Sequence, residues 1–174
     1  SGSVDETVVV WRKGPWTRAT TLTVGESVKA MTADEEYVYT GTWPSGSVVV
    51  WRKGSWERAA TLMLHSHEGS GRPVTALATD AEYLYAASRD NTVRVWRKGS
   101  WEVVAPTEGH TSPVDALATD AEYLYSASWD NTVRVWDRRD LRAVAVLADH
   151  SESVTALAVG DEHLYSGTTD GTVV

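Results

Sequence analysis

The chain has 174 residues, 42% of them apolar and 23% charged, a composition that can bury a core and does not match a disordered chain. Its 24 acidic residues outnumber 16 basic ones, for a net charge of −8, which argues against a nucleic-acid backbone or an anionic membrane as main partner, since both demand a basic face. Cysteine is absent, and with it disulfides, thiolate metal sites and cysteine nucleophiles.

Ser1-Gly2-Ser3 has neither the basic start nor the apolar run of a signal peptide and reads as a cloning scar, leaving residues 4–174 as the folded part. No stretch approaches the roughly 18 consecutive apolar residues of a membrane span, so a soluble, cytoplasmic protein is predicted. Thr7–Trp11 is rich in β-branched residues and reads as the third strand of a repeat. Val-Val-Val-Trp ends at Trp11 and again at Trp51, and Val-Arg-Val-Trp ends at Trp96 and Trp136, spacings of 40, 45 and 40 residues. After three of these Trp residues comes Arg-Lys-Gly-Ser/Pro-Trp (12–16, 52–56, 97–101), with glycine supplying a turn. The Trp pairs flanking each glycine, 11/16, 51/56 and 96/101, read as cross-strand packing.

One unit shows the grammar. Val114–Ala118 is a short strand, Asp120-Ala-Glu122 a polar turn, and Tyr123–Ser128 a second strand. Trp129-Asp130-Asn131 is a tight turn, Thr132–Trp136 a third strand and Arg142–Leu147 a fourth. Asp34-Glu35-Glu36, Asp80-Ala-Glu82 and Asp161-Glu162 repeat the polar turn, so it is a solvated turn and not a metal site. No segment has a 3.6-residue period, and the reading is all-β, four antiparallel strands per unit. Residues 78–96 and 118–136 differ at two of 19 positions, Ala86/Ser126 and Arg89/Trp129, which points to recent duplication or deliberate design.

These features together resemble the WD40 family of β-propellers. They include Gly109-His110, the variants Asp149-His150 and Leu64-His65, the turns Ser88-Arg89-Asp90 and Ser128-Trp129-Asp130, and the third strand with its Trp, followed once by Asp (Trp136-Asp137). The resemblance implies a hydrogen-bonded chain of His, strand hydroxyl, turn Asp and Trp in each blade. That chain would be His110, Ser128, Asp130 and Trp136 in the complete unit. It would be Ser88, Asp90 and Trp96 in the unit before, where the His is either His65 or His67. In the last unit it would be His150, Thr168 and Asp170, with its Trp supplied by Trp11. The unit ending at Trp51 has no His, with Gly25 at the matching spacing, and its turn is altered to Trp43-Pro44-Ser45-Gly46. A catalytic triad need occur only once, so a set that recurs is read as scaffold: no catalytic residue, no metal and no cofactor is expected.

The resemblance also implies a binding face at three positions per blade. These are Pro113, Asp115 and Trp129 in the complete unit, Pro73, Thr75 and Arg89 before it, and Ser153, Thr155 and Thr169 after it. The altered unit offers Ser27, Lys29 and Trp43. Arg89/Trp129 falls among them and is also one of the two differences between the near-identical segments. By strand count the chain holds four blade equivalents in cyclically permuted order. Blades of this family suit a ring of about seven or eight, so the fold class expected is a WD40-type propeller of eight blades in a homodimer. Its seams would join Asp161–Asp170 of one copy to Val4–Leu22 of the other, with the N-terminal copy of the third strand preferred over the C-terminal one. The function expected is a non-enzymatic scaffold for a peptide or protein. The alternatives are a fragment or engineered piece of a larger propeller without activity of its own, and an enzyme or glycan binder using a central channel.

Overall fold

A computed structural model describes residues 4–64, 72–104 and 107–174, so the His65/His67 alternative falls outside the described residues. All regular elements among them are strands. The chain divides into two compact units, residues 1–74 and 75–174.

In the first unit, β1 (Thr7–Trp11) and β2 (Arg18–Thr23) form a two-stranded sheet. Next, β3 (Ser27–Ala33), β4 (Tyr37–Trp43), β5 (Ser47–Arg52) and β6 (Arg58–Met63) form a four-stranded antiparallel meander. Val8, Leu22, Val24, Val28, Val49 and Trp51 make its core. In the second unit, β7 (Val74–Thr79, starting on the boundary residue), β8 (Tyr83–Ser88) and β9 (Val93–Arg97) form a three-stranded sheet. Isolated bridges from Val103 and Thr107 extend it at the β9 edge. A second meander follows: β10 (Val114–Thr119), β11 (Tyr123–Ser128), β12 (Val133–Asp137) and β13 (Ala143–Leu147). Last, β14 (Val154–Val159) and β15 (Leu164–Thr168) form a two-stranded sheet. The register shifts just before the third-strand Trp in three sheets, at Val10/Trp11, Val50/Trp51 and Val135/Trp136, a bulge that re-aims the indole.

The turns follow their chemistry. Gly14, Gly54 and Gly99 have φ of 95°, 89° and 85°, so glycine supplies the left-handed turn as expected. Of the Trp pairs expected to pack across strands, Trp56 packs against the core cluster that contains Trp51. Trp16, Trp56 and Trp101 themselves lie in the turn at positive φ, and the backbone N–H of Trp16 donates to the Arg12 carbonyl in a closing turn bond.

The polar turns are built on one aspartate. Asp120 Oδ1 accepts the N–H groups of Glu122 and Tyr123, each at 2.8 Å, while Oδ2 accepts the Tyr125 hydroxyl at 2.6 Å. Asp34 with Tyr39, and Asp80 with Tyr85, repeat the arrangement. Burial would raise the Asp120 pKa, but these donors overcome it and hold the carboxyl below its ordinary range. Asp80 also takes Arg138 from the adjoining meander at 2.6 Å. Ladder register corrects the expected counterpart in the last unit. Gly160, not Asp161, holds the aspartate position, since its N–H donates to His163 O as that of Asp120 does to Tyr123 O. Tyr165 accordingly has no such aspartate. We expect Asp120→Ala to lower stability by about 1 kcal/mol or somewhat more, the cost of losing three hydrogen bonds from exposed and part-buried donors. Urea denaturation followed by tryptophan fluorescence checks this, and an unchanged midpoint would show the turn to be dispensable.

Candidate functional site

The complete network is a hydrogen-bonded chain in the β10–β13 sheet. Asp130 sits in the β11–β12 turn, closed by Asn131 at φ 66°. Its Oδ1 accepts the Thr132 hydroxyl at 2.6 Å, and its Oδ2 accepts the Thr111 N–H at 3.0 Å and contacts His110 Nδ1 at 2.8 Å. His110 Nε2 lies 2.8 Å from the Ser126 hydroxyl, and the Trp136 indole N–H donates to that same oxygen at 2.9 Å. The hydroxyl link is therefore Ser126, where the sequence pattern placed Ser128. Trp136 stands opposite Leu124, so its diagonal neighbour on the same face is Ser126, and Ser128 lies two residues further along. Ser128 instead braces the turn: its hydroxyl donates to Ser112 O at 2.9 Å and accepts the Asp130 N–H at 3.1 Å.

The same correction runs through the other units. Thr40 accepts the Trp51 indole N–H at 3.1 Å, and His150 Nε2 lies 2.7 Å from Ser166 Oγ, so Ser166 replaces Thr168 in the last unit. Thr168 instead donates to Asp170, which also caps Thr172 N–H at 2.9 Å. In the unit with Trp96 the corresponding residue is Ala86, which carries no hydroxyl; Ser88 is fully buried and Asp90 caps its own turn through Thr92. The difference Ala86/Ser126 is thus presence or absence of the link. Register also corrects Gly25: Val28 faces Thr42 as Val114 faces Ser128, so the His position is Val24. The extra residue in the Trp43–Gly46 turn, which contains a cis Trp43–Pro44 bond, had shifted the count. There Glu26 takes over the capping, accepting the Ser45 hydroxyl at 2.6 Å.

Gly109 has a backbone reason: its φ of 149° is a conformation that residues bearing a Cβ rarely adopt, and the Arg134 guanidinium lies against it. Burial pushes the His110 pKa below its ordinary value, outweighing the opposite pull of Asp130, so the imidazole is neutral at pH 7. Nδ1–H then donates to Asp130 and Nε2 accepts from Ser126. Burial would raise Asp130, but hydrogen bonds from Thr132, Thr111 and His110 overcome it and hold the carboxyl at about 2.

The proposed binding face is partly assembled. Trp129 remains 42% exposed, with Arg89 stacked on its ring at 5.3 Å and its indole N–H held by Asp115 at 2.6 Å. Arg89, Trp129 and Asp115 are thus one cluster. Pro113 fixes the backbone there by accepting the Trp129 N–H, as Ser153 does for Thr169. Thr75 turns its hydroxyl to the Val114 carbonyl, while Pro73 and Thr155 are half-buried. In the first unit Lys29 repeats the motif, its Nζ lying 5.6 Å from the Trp43 ring. Ser27 is buried. Among the described residues no three His, Asp or Glu gather as a metal site, and no helix is long and apolar enough to cross a membrane.

Residues 59–97 and 101–137 match the family model of the WD domain, G-beta repeat. Each match runs from a fourth strand through the next third strand. These two units are WD40 repeats. The crystal structure of the computationally designed Ika4 protein is similar at 29% identity and a TM-score of 0.75, over 86% of this chain and 89% of that one. The computationally designed Ika8 protein is similar at 29% identity and a TM-score of 0.83, over 99% of this chain and 52% of that one, so the chain spans about half its length. No curated protein matches the chain. The chain is all-β and of the propeller fold class, with four blade equivalents: two four-stranded sheets, a third extended by bridges, and two half-sheets, β1–β2 and β14–β15.

Two outcomes are expected. Ser126→Ala should cost about 1–3 kcal/mol in chemical denaturation, because it strands the Trp136 N–H. Because His110 binds its proton less readily folded than unfolded, stability should fall as pH drops below about 6.5, the unfolded value. His110→Gln should flatten that slope, and an identical pH profile for the two proteins would contradict the network.

Proposed function

We propose that the protein is a non-enzymatic propeller scaffold, completed by a second copy of the chain, that binds a peptide or protein through the Arg89–Trp129–Asp115 cluster. The observation that carries the self-association is a set of positions buried inside the chain and exposed at its two half-sheets and on β13. Trp136 is 2% exposed and Trp11, its repeat equivalent, 58%. Leu62 is 7% exposed and Leu147, its equivalent on the fourth strand, 41%. Val9 and Tyr165 are likewise exposed where Val49 and Tyr39 are buried.

The two sets are complementary. Val49 packs with Leu22 and Val24 in the core of the first unit, so Val9 of one copy would cover Leu147 of the other. His150 and Ser166 hold two links of a network whose indole, Trp11, stands on the other half-sheet. Joining β15 to β1 of a second copy would make the order β14–β15–β1–β2, the blade order of the meanders. Closed two-fold pairing buries both edges at once. That the chain spans about half of Ika8 supports this count. For the ligand face, an Arg stacked on a half-exposed Trp joins two residue types that are enriched at binding hot spots.

A second reading is an engineered or partial propeller without a ligand, and the similarity to two designed proteins favours it. Light scattering at micromolar concentration should return twice the chain mass; a monomer would sink the self-association. A peptide-array screen separates the two readings of the face. Under the first, Trp129→Ala abolishes any signal while the mass is unchanged; under the second, no peptide binds either protein.

A further inference from the structure

The edge of β15 that the second copy would need is already taken. Ser166 N–H donates to the Val174 carbonyl at 2.8 Å, Val174 N–H returns a bond to the Ser166 carbonyl at 2.9 Å, and Gly167 bridges to Val173. In the first meander the same places opposite β4 belong to β5: Thr40 faces Val49 and Gly41 faces Val48. Transferred to β15, those places belong to Val9 and Val8 of β1, since Thr7–Trp11 repeats Ser47–Trp51. Val174 therefore stands in the place of Val9, and Val173 in the place of Val8.

The occupancy is weak by its own chemistry. Val173 and Val174 stay largely exposed, whereas their equivalents Val48 and Val49 are buried. The segment Thr172–Val174 holds no Trp, so the Ser166 hydroxyl has His150 on one side and gains no indole from the segment that covers its edge. Its advantage is proximity. The Asp170–Gly171 turn, with Gly171 at φ 89°, returns it to β15 across a loop of a few residues, which costs little closure entropy. β1 offers five residues against three, with Val9 and Trp11 to bury.

We propose that the β15 edge is a strand-acceptor site for the Thr7–Trp11 segment of a second copy, and that Thr172–Val174 is a place-holder that must leave before that strand docks. This rests on the self-association reading. The place-holder shields the edge from unspecific strand addition and sets the concentration at which copies join. The partner is defined by its chemistry: an extended segment with β-branched residues at successive positions and a Trp at its end, joined by main-chain bonds with side-chain pockets on alternate residues.

The test compares three full chains and one shortened by residues 172–174, by sedimentation across a dilution series. Val174→Pro removes the N–H that bonds Ser166 without touching β1. Both Val174→Pro and the shortened chain should associate more tightly than the parent, by about tenfold, the worth of one or two backbone hydrogen bonds. Trp11→Ala should associate more weakly. A synthetic peptide of residues 5–16 should compete with association, and a scrambled peptide should not. Equal dissociation constants for the parent, Val174→Pro and the shortened chain would overturn the place-holder and leave self-association standing. Weaker association on shortening would make residues 172–174 part of the seam and overturn it too. No association in any of the four would remove both readings.

Discussion

The structure depends on the buried indole N–H at the end of the third strand in the two four-stranded meanders, that of Trp51 and that of Trp136. An indole carries a single donor and no acceptor, and at a position as enclosed as Trp136 that donor must be satisfied inside the blade. The requirement places a hydroxyl diagonally across the ladder, at Ser126 or Thr40. In the complete blade His110 accepts the Ser126 hydroxyl at Nε2 and donates its Nδ1–H to the turn aspartate, Asp130. A local need of one side chain thereby ties the third strand, the second strand, the loop before the first strand and the tight turn into one rigid assembly.

The same need makes the two half-sheets informative. Trp11 meets the solvent while an incomplete network waits at Ser166, and the apolar residues that flank each are the ones buried elsewhere in the chain. Sheet edges and exposed Trp are liabilities that a folded protein covers. The place-holding segment at β15 covers one edge with main-chain bonds alone, which silences the edge without burying an aromatic residue. Assembly and protection then compete for the same row of backbone groups.

The proposed ligand face follows a different logic. Network residues are buried and recur because each blade needs them; Arg89, Trp129 and Asp115 are unequal from blade to blade and reach the surface. Lys29 over Trp43 shows that the cation-on-indole arrangement at these positions also arises from a different sequence context. Stacking costs the indole little exposure and pre-organises the guanidinium, which lowers the ordering entropy a partner must overcome.

Much of this was legible in the residues. The period, the strand order, the glycine turns and the Arg89/Trp129 difference follow from alternation, turn chemistry and self-similarity, which are local and repeat. Three assignments were not. Ser126 and Ser128 share one face, because side chains alternate with period two, so only the ladder register against Trp136 selects between them. Val24 rather than Gly25, and Gly160 rather than Asp161, likewise follow from strand pairing, since counting residues along the chain breaks at a turn with one residue more and at a shifted acidic pair. The sequence by itself determined which strands exist and in what order. Tertiary structure decided which hydroxyl meets which indole and which segment holds the β15 edge, because register and edge occupancy are set by pairing between distant residues.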